Sequence, residues 1–186
     1  MTRRLGAIGS LGLVLALLSL GSSPAWPRAS GRPFDLERAW GFAEYPLYAA
    51  GDRVDGLPLT AVLRRDDTAD FVSFVYGDCV ARDDQGCAPP VEIQVWPACK
   101  RNLGLYTSPV PGTPVPQRRT VRGVPAAFVD DDRLELQTGS STVVVFAGSR
   151  ARLLRVAAAL RPLGARSASP PLPAPEAGEV AGTFRC

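Results

Sequence analysis

The four cysteines carry the clearest chemistry in this sequence: Cys79, Cys87, Cys99 and Cys186. Their spacing matches neither paired Cys-x2-Cys zinc ligands nor a Cys-x-x-Cys redox centre. An even set in a chain with an export signal predicts two disulfides, and four cysteines allow three pairings. We favour Cys79–Cys87, which closes a short turn-rich loop, with Cys99–Cys186, which ties the C-terminus to the body. The alternative leaves Cys186 free to pair between chains.

Most catalytic sites lack their essential residues in this sequence. There is no histidine, which excludes Ser-His and Cys-His nucleophiles and every imidazole metal site. Lys100, the only lysine, could pair with Ser108, Ser140 or Ser141, but no Ser-x-x-Lys spacing occurs. We therefore predict a protein that is not an enzyme and that has no cofactor.

Two charged clusters have an ordinary structural interpretation beside a functional one. Asp130–Asp132 could help to bind calcium, but the ligand spacing and glycine of an EF-hand loop are missing. A solvated hairpin turn is the preferred interpretation, and we predict no metal site. Arginines after Ser149 could contact an anion or a membrane surface, but they fit the solvated side of a helix better.

Loops supply the candidate binding residues, because binding residues concentrate on loops held by a rigid scaffold. Arg82, in the loop between Cys79 and Cys87, could be offered to a trypsin-like protease, since such inhibitors exploit preorganised loops. Asp83 follows it and the loop has no proline, so a stapled turn is preferred. The second loop is the proline-rich excursion Leu103–Gln117. The candidate partner-binding residues are Arg82, Asp83, Leu105 and Tyr106.

The elements that would hold these loops follow from hydrophobic periodicity. Leu134 and Leu136 alternate with polar residues, as in a half-buried strand, and Val143–Phe146 is a continuous apolar run typical of a central strand. Gly123 and Pro125 indicate an edge strand or a bulge. Six strands are predicted: Leu59–Leu63, Phe71–Tyr76, Val91–Trp96, Val121–Val129, Arg133–Thr138 and Thr142–Ala147.

Two helices flank these strands. Asp35 and Ser149 are the expected N-caps. Leu36 and Trp40 should form the buried side of the first helix, whereas the second should bury Leu153, Val156, Ala157 and Leu160. The predicted fold is therefore α+β: an antiparallel sheet of about six strands with an N-terminal and a C-terminal helix packed on it.

The two ends of the chain differ from this centre. Arg3 and Arg4 precede the leucine-rich run Leu5–Leu20, and small residues up to Ala25 suit cleavage, which is the layout of a signal peptide. The alternative is an uncleaved membrane anchor. We predict a signal peptide at 1–25, a lead-in at 26–32, one α+β domain at 33–163 and a tail at 164–186. This Pro/Ala-rich tail should be solvated and tied back by Cys186.

The charge narrows the choice of partners. The formal net charge is +3, and removal of residues 1–25, with two arginines and no acid, brings it close to neutral. A near-neutral chain lacks the basic patch of a nucleic-acid-binding protein. We predict a secreted or extracytoplasmic protein whose partner is another protein or a small molecule, with membrane contact only if the signal segment is retained.

Two segments resemble uncharacterised exported proteins of high-GC bacteria. Gly123–Ala126, Leu134–Gln137, Val143–Phe146 and Leu153–Leu160 are similar to the strands and helix of small extracytoplasmic domains of unknown function. The segment from Tyr76 to Cys99 is similar to hypothetical exported proteins of the same bacteria. The resemblance covers a minor part of the chain and implies no activity. It implies an exported domain, which we expect to be a binding or interaction module.

Overall fold

The structure, a computed structural model, describes residues 34–66, 69–78, 80–82, 86–103, 116–167 and 171–186. For 80–82 and 86–87 only the backbone is described. The helices within these residues are α1 (Leu36–Trp40) and α2 (Arg150–Ala159). The strands are β1 (Tyr48–Ala49), β2 (Arg53–Val54), β3 (Leu57–Arg65), β4 (Phe71–Tyr76), β5 (Val80–Arg82), β6 (Gly86–Ala88), β7 (Val91–Pro97), β8 (Gln117–Val121), β9 (Val124–Asp130), β10 (Arg133–Thr138), β11 (Ser141–Ala147) and β12 (Arg161–Pro162).

Eight strands form one antiparallel sheet in the order β2-β3-β4-β7-β11-β10-β9-β8. The β7–β11 pair joins two meanders, so the chain leaves the sheet at its centre and returns at the β8 edge. Four strand spacings separate β7 from β8, about 19 Å. The segment that connects β7 with β8 therefore has to span this distance. Two small ribbons, β1–β12 and β5–β6, lie outside this sheet.

One face of the sheet carries the apolar core. Val91, Ile93 and Val95 of β7 are fully buried, and the residues between them point to the other face. Helix α2 packs against β10 and β11. The four residues predicted to form its buried side are all fully buried: Leu153, Val156, Ala157 and Leu160. The helix periodicity is confirmed. The prediction that Arg133–Thr138 is half-buried was wrong, because Glu135 and Gln137 are fully buried as well as Leu134 and Leu136.

The second face of the sheet is polar and largely buried. The Ser73 hydroxyl donates to a Glu92 carboxylate oxygen at 2.6 Å, and the Gln94 amide donates to the same oxygen at 2.9 Å. The Trp96 indole N–H donates to the Gln94 carbonyl oxygen at 3.1 Å. This chain of hydrogen bonds gives adjacent buried polar groups their partners, which such groups need.

Arg101 lies on this polar face and contacts residues of two strands, Trp96 of β7 and Glu135 of β10. Its guanidinium lies over the Trp96 ring, 5.0 Å from the centroid, and pairs with the Glu135 carboxylate. Glu135 is completely buried. The Thr142 hydroxyl donates to the backbone carbonyl of Arg101, which fixes the segment after β7 on this face.

The sheet is larger than the predicted six strands, and the Val121–Val129 prediction was wrong. Arg122 and Gly123 have positive φ angles, 51° and 84°, and form a turn between β8 and β9. The turn makes β9 an interior strand. The edge strand β8, Gln117–Val121, begins at the last residue of the predicted excursion and ends at the first residue of the predicted strand. Hydrophobic periodicity did not indicate β8, because its residues are mostly polar. An edge strand can leave most of its side chains in water.

Both predicted N-caps are present. The Asp35 carboxylate accepts from the Arg38 backbone N–H at 3.0 Å, and the Ser149 hydroxyl accepts from the Arg152 backbone N–H at 3.4 Å. Helix α1 has only five residues and packs against β3. Within the described residues, neither helix is both long and apolar enough to cross a membrane.

The C-terminal tail is packed against the sheet rather than wholly solvated, so that prediction was wrong. Leu172 is 3% exposed, and its backbone N–H donates to the Arg122 carbonyl at 2.9 Å. The Thr138 hydroxyl donates to the Pro173 carbonyl at 2.8 Å. The Cys99–Cys186 disulfide closes the end of the tail, as predicted.

Candidate functional site

A cavity of about 320 Å³ opens between α1, the β1–β12 ribbon and the turn that follows β12. Its volume is at the lower end of the roughly 300–1,000 Å³ that ligand pockets span, so it suits a small molecule. We call it the Trp40–Arg161 pocket. Its lining residues are Leu36, Trp40, Ala49, Gly51, Asp52, Leu59, Arg161, Pro162, Leu163, Gly164, Ala165 and Arg166.

The backbone holds Arg161 in this pocket. Arg161 pairs with Ala49 in the β1–β12 ribbon, and the backbone N–H of Leu163 donates to the Leu47 carbonyl at 2.8 Å. The guanidinium packs directly on Gly51: a Cβ built there would lie 2.0 Å from its Nη2. Gly51 also has φ 86°, so glycine is required both by the backbone conformation and by the arginine.

Tyr76 fixes the part of the pocket wall that Gly51 forms. Its hydroxyl accepts from the Ala50 backbone N–H at 2.9 Å and donates to the Gly51 carbonyl at 3.0 Å. Tyr76 is completely buried, and this burial raises its pKa to about 12. The hydroxyl therefore stays protonated and keeps the turn at Gly51 in place. The nearby positive charge of Arg161 acts on that pKa in the opposite direction.

Trp40 lies on the other side of the pocket with 64% of its surface exposed. The prediction that Leu36 and Trp40 form the buried side of α1 was therefore wrong. The five-residue helix buries Ala39 instead, and Leu36 is only partly buried. A helix shorter than two turns has no complete apolar stripe, so the spacing of Leu36 and Trp40 did not determine which residue was buried.

The charges around the pocket are predominantly positive. Arg161 is half-buried and Arg166 is exposed, and neither guanidinium makes a hydrogen bond or ion pair within the described part of the chain. Asp52 is the acid in the lining. The arrangement therefore presents a guanidinium and an indole on two sides of one pocket, where they can bind the negative end and the planar face of one ligand.

Sequence reasoning missed this pocket. Arg161 was assigned with other arginines to the solvated side of the last helix, although it lies beyond α2 in β12. Nothing in the sequence connects Gly51 and Asp52 with Arg161, more than a hundred residues away. Only the pairing of β1 with β12 brings the two together.

The sequence-predicted partner-binding residues fall where the structure says little. Asp83, Leu105 and Tyr106 lie outside the described residues, and Arg82 is described by its backbone alone. Strands β5 and β6 pair with Arg82 opposite Gly86, so Arg82 is next to the tip of a hairpin. The Cys79–Cys87 disulfide also lies outside the described residues and stays a prediction, as do the boundaries at 25 and 32.

The remaining candidates for chemistry are engaged in structural contacts. Lys100 forms an ion pair with Asp70 at 2.6 Å, and the Ser141 hydroxyl donates to the Pro46 carbonyl at 2.7 Å. Ser108 lies outside the described residues. Asp130 pairs with Arg133 at 3.1 Å, and Asp131 with Arg150 at 2.8 Å. Within the part that the structure describes, no group of three metal-binding side chains occurs.

The solvated side of α2 is tied to the β2–β3 turn. Arg152 and Arg155 both contact Asp55, at 2.7 Å and 2.8 Å. The hydrogen bonds from Arg155 and Arg152 lower the pKa of Asp55 to about 2. Two of the arginines that were predicted to lie on a solvated face therefore hold the β2–β3 hairpin in position, and their charges are already paired with Asp55.

Glu179 is a buried acidic residue in the described part of the tail. Its side chain is completely buried in the tail, and neither carboxylate oxygen has a hydrogen-bond partner there. Burial raises its pKa from 4.5 to about 7. The buried carboxyl thus keeps its proton over a range in which the unfolded chain has lost it.

This difference predicts a pH-dependent stability. Between pH 4.5 and about 7 the folded protein binds one proton more than the unfolded chain at Glu179, so the free energy of unfolding falls as the pH rises and then levels off. Glu179→Gln should remove that fall and make the variant more stable than the native chain above pH 7 by about 1–3 kcal/mol. Urea unfolding at a series of pH values measures it.

Glu176→Gln is the matched control, because Glu176 is exposed in the same tail. It should reduce the slope between pH 4.5 and 7 only slightly, because burial is the main cause of the raised Glu179 pKa and the Glu176 charge is a minor one. Equal slopes for native protein and Glu179→Gln would show that Glu179 does not titrate in this range.

Comparison with protein-family models, with curated proteins and with solved structures gives no match to this chain. The resemblance to exported bacterial domains therefore stays a prediction. The assignment of function rests on the pocket and on the sequence.

Proposed function

We propose that this protein is an exported, non-catalytic binding domain that holds a small molecule in the Trp40–Arg161 pocket, at or outside the cell surface. The observation that carries this proposal is that one pocket contains both an exposed indole, that of Trp40, and a guanidinium, that of Arg161, which has no partner within the described residues. Ligand pockets are lined mainly by hydrophobic and aromatic side chains, with a small number of polar or charged groups that fix the orientation of the ligand.

The compartment is supported by two independent features. The N-terminal sequence has the layout of a signal peptide, and the Cys99–Cys186 disulfide suits an oxidising environment. The binding role is supported by the lining of the pocket, which combines apolar side chains with two arginines and one aspartate. The engaged state of Lys100 and the absence of histidine favour binding over catalysis.

Nuclear magnetic resonance with a fragment library tests the binding role. We expect some fragments to shift the Trp40 indole N–H signal and to leave the Trp96 signal in place, because Trp96 donates to Gln94 on the opposite face. Trp40→Ala should abolish these contacts. If no fragment shifts Trp40 or its neighbours in the pocket, the proposed binding function is wrong. N-terminal sequencing of the exported product separates a secreted chain from a membrane-tethered one.

A second candidate function is protease inhibition by the Cys79–Cys87 loop. The β5–β6 hairpin favours it, since the hairpin brings Arg82 next to its tip. A trypsin assay distinguishes the two functions: inhibition lost in Arg82→Ala but retained in Trp40→Ala would support the inhibitor.

A further inference from the structure

The position of Arg161 sets the chemistry of a ligand. Its backbone is fixed by the pairing with Ala49, and its guanidinium is fixed by contact with Gly51. A partly buried charge without a partner has lost part of its hydration and gains most from a ligand of opposite sign. Carboxylate and phosphate oxygens match the fork of an arginine.

The rest of the pocket demands an apolar body on that ligand. Trp40 and Leu36 line one side, and Leu59 and Leu163 line the floor. Leu36, Leu59 and Leu163 are packed against the core, so they form a fixed surface rather than a mobile one. An inorganic anion would leave this surface in water.

The other charges agree with an anion. Arg166 adds a second positive charge at the rim, and Asp52 is the one negative side chain in the lining. A cationic ligand would face two guanidinium groups, and a neutral one would leave Arg161 unpaired. We infer that the Trp40–Arg161 pocket binds a small amphipathic anion, with a carboxylate or phosphate group at Arg161 and an aliphatic or aromatic body against Trp40. This inference rests on the proposed binding function.

Isothermal titration calorimetry and the nuclear magnetic resonance signal of the Trp40 indole N–H, recorded with defined probes, test it. Octanoate is the carboxylate probe and phenyl phosphate is the phosphate probe. 1-Octanol lacks the charge, and acetate lacks the apolar body. We expect octanoate or phenyl phosphate to bind at least about tenfold more tightly than 1-octanol or acetate, the effect of one charged hydrogen bond. Octyl phosphate, which has the same eight-carbon length as octanoate, identifies the preferred head group.

Two substitutions separate the parts of the pocket. Arg161→Met should weaken octanoate or phenyl phosphate by about tenfold or more and leave 1-octanol unchanged, whereas Trp40→Ala should weaken all three. Arg118→Met is the matched control, since Arg118 is an exposed arginine of β8, outside this pocket. Thermal unfolding checks that each variant is folded.

The outcomes distinguish this inference from the function beneath it. Equal affinities for octanoate and 1-octanol, with no effect of Arg161→Met, would contradict the preference for an anionic ligand. The proposed binding function of the pocket would still hold. Failure of every probe to perturb Trp40 at millimolar concentration would overturn both.

Discussion

Replacing Cys99 and Cys186 by serine should lower the free energy of unfolding by about 4–5 kcal/mol. The disulfide joins residues 87 positions apart, and a cross-link over so long a loop removes much of the entropy of the unfolded chain. A loss of this size is a large fraction of the stability of an ordinary domain. Urea unfolding of oxidised native protein and of the double variant measures it.

The same substitution should have a local effect. The tail up to Glu176 keeps its contacts, including the bond from the Glu176 N–H to the Gly139 carbonyl at 3.2 Å. Residues after Glu176 lose their anchor, and hydrogen exchange should become faster at Thr183 and Phe184, whose backbone N–H groups donate to the Gly178 carbonyl.

Cys79→Ser with Cys87→Ser is the matched control. The loop between these residues is short, so its predicted closure stabilises by about 2–3 kcal/mol. Its loss should leave exchange in the tail unchanged. If the Cys99/Cys186 double variant were as stable as native protein, the disulfide would not be what stabilises the domain and anchors its tail.

The centre of the fold could be predicted because local pattern and tertiary position agree there. The apolar run of β11 and the helical spacing of Leu153 and Leu160 each have one stable placement, since both must be buried. Strand β8 could not be predicted, because its polar residues become a strand only by pairing with β9. Glu179 was equally hidden, since its burial depends on how the tail packs.

The candidate site shows the same division more strongly. The sequence predicts where binding loops lie, at Arg82 and around Tyr106, because proline, glycine and cysteine mark loops. It does not predict the Trp40–Arg161 pocket, because that site is made by the pairing of Ala49 with Arg161. A partnerless arginine cannot be distinguished by spacing from the many arginines that pair with Asp55 or Asp131.

Replacing Arg101 by methionine should cost about 3–5 kcal/mol of stability, measured by urea unfolding. Glu135 is completely buried, and Arg101 pairs with it more closely than Arg133, whose Nε lies 3.9 Å from the carboxylate, so the substitution leaves a buried charge without its nearer partner. The contact with the Trp96 ring is lost as well. The segment itself should stay in place, because the Thr142 hydroxyl donates to a backbone carbonyl that methionine retains.

The double variant Arg101→Met with Glu135→Leu separates the charge from the packing. Replacing a buried ion pair by apolar residues is often neutral, so the double variant should recover most of the stability that the single variant loses. Arg150→Met is the control at an exposed pair, where the Asp131 side chain is 88% exposed. Arg150 also donates to Gln117 at 2.6 Å and lies 4.9 Å from the centroid of the Phe128 ring, so the control should cost about 1–2 kcal/mol, less than Arg101→Met. If the double variant were as unstable as Arg101→Met, the loss would come from packing on Trp96 rather than from the buried carboxylate. Recovery would instead identify the polar face of the sheet as a place where charge is tolerated only in pairs.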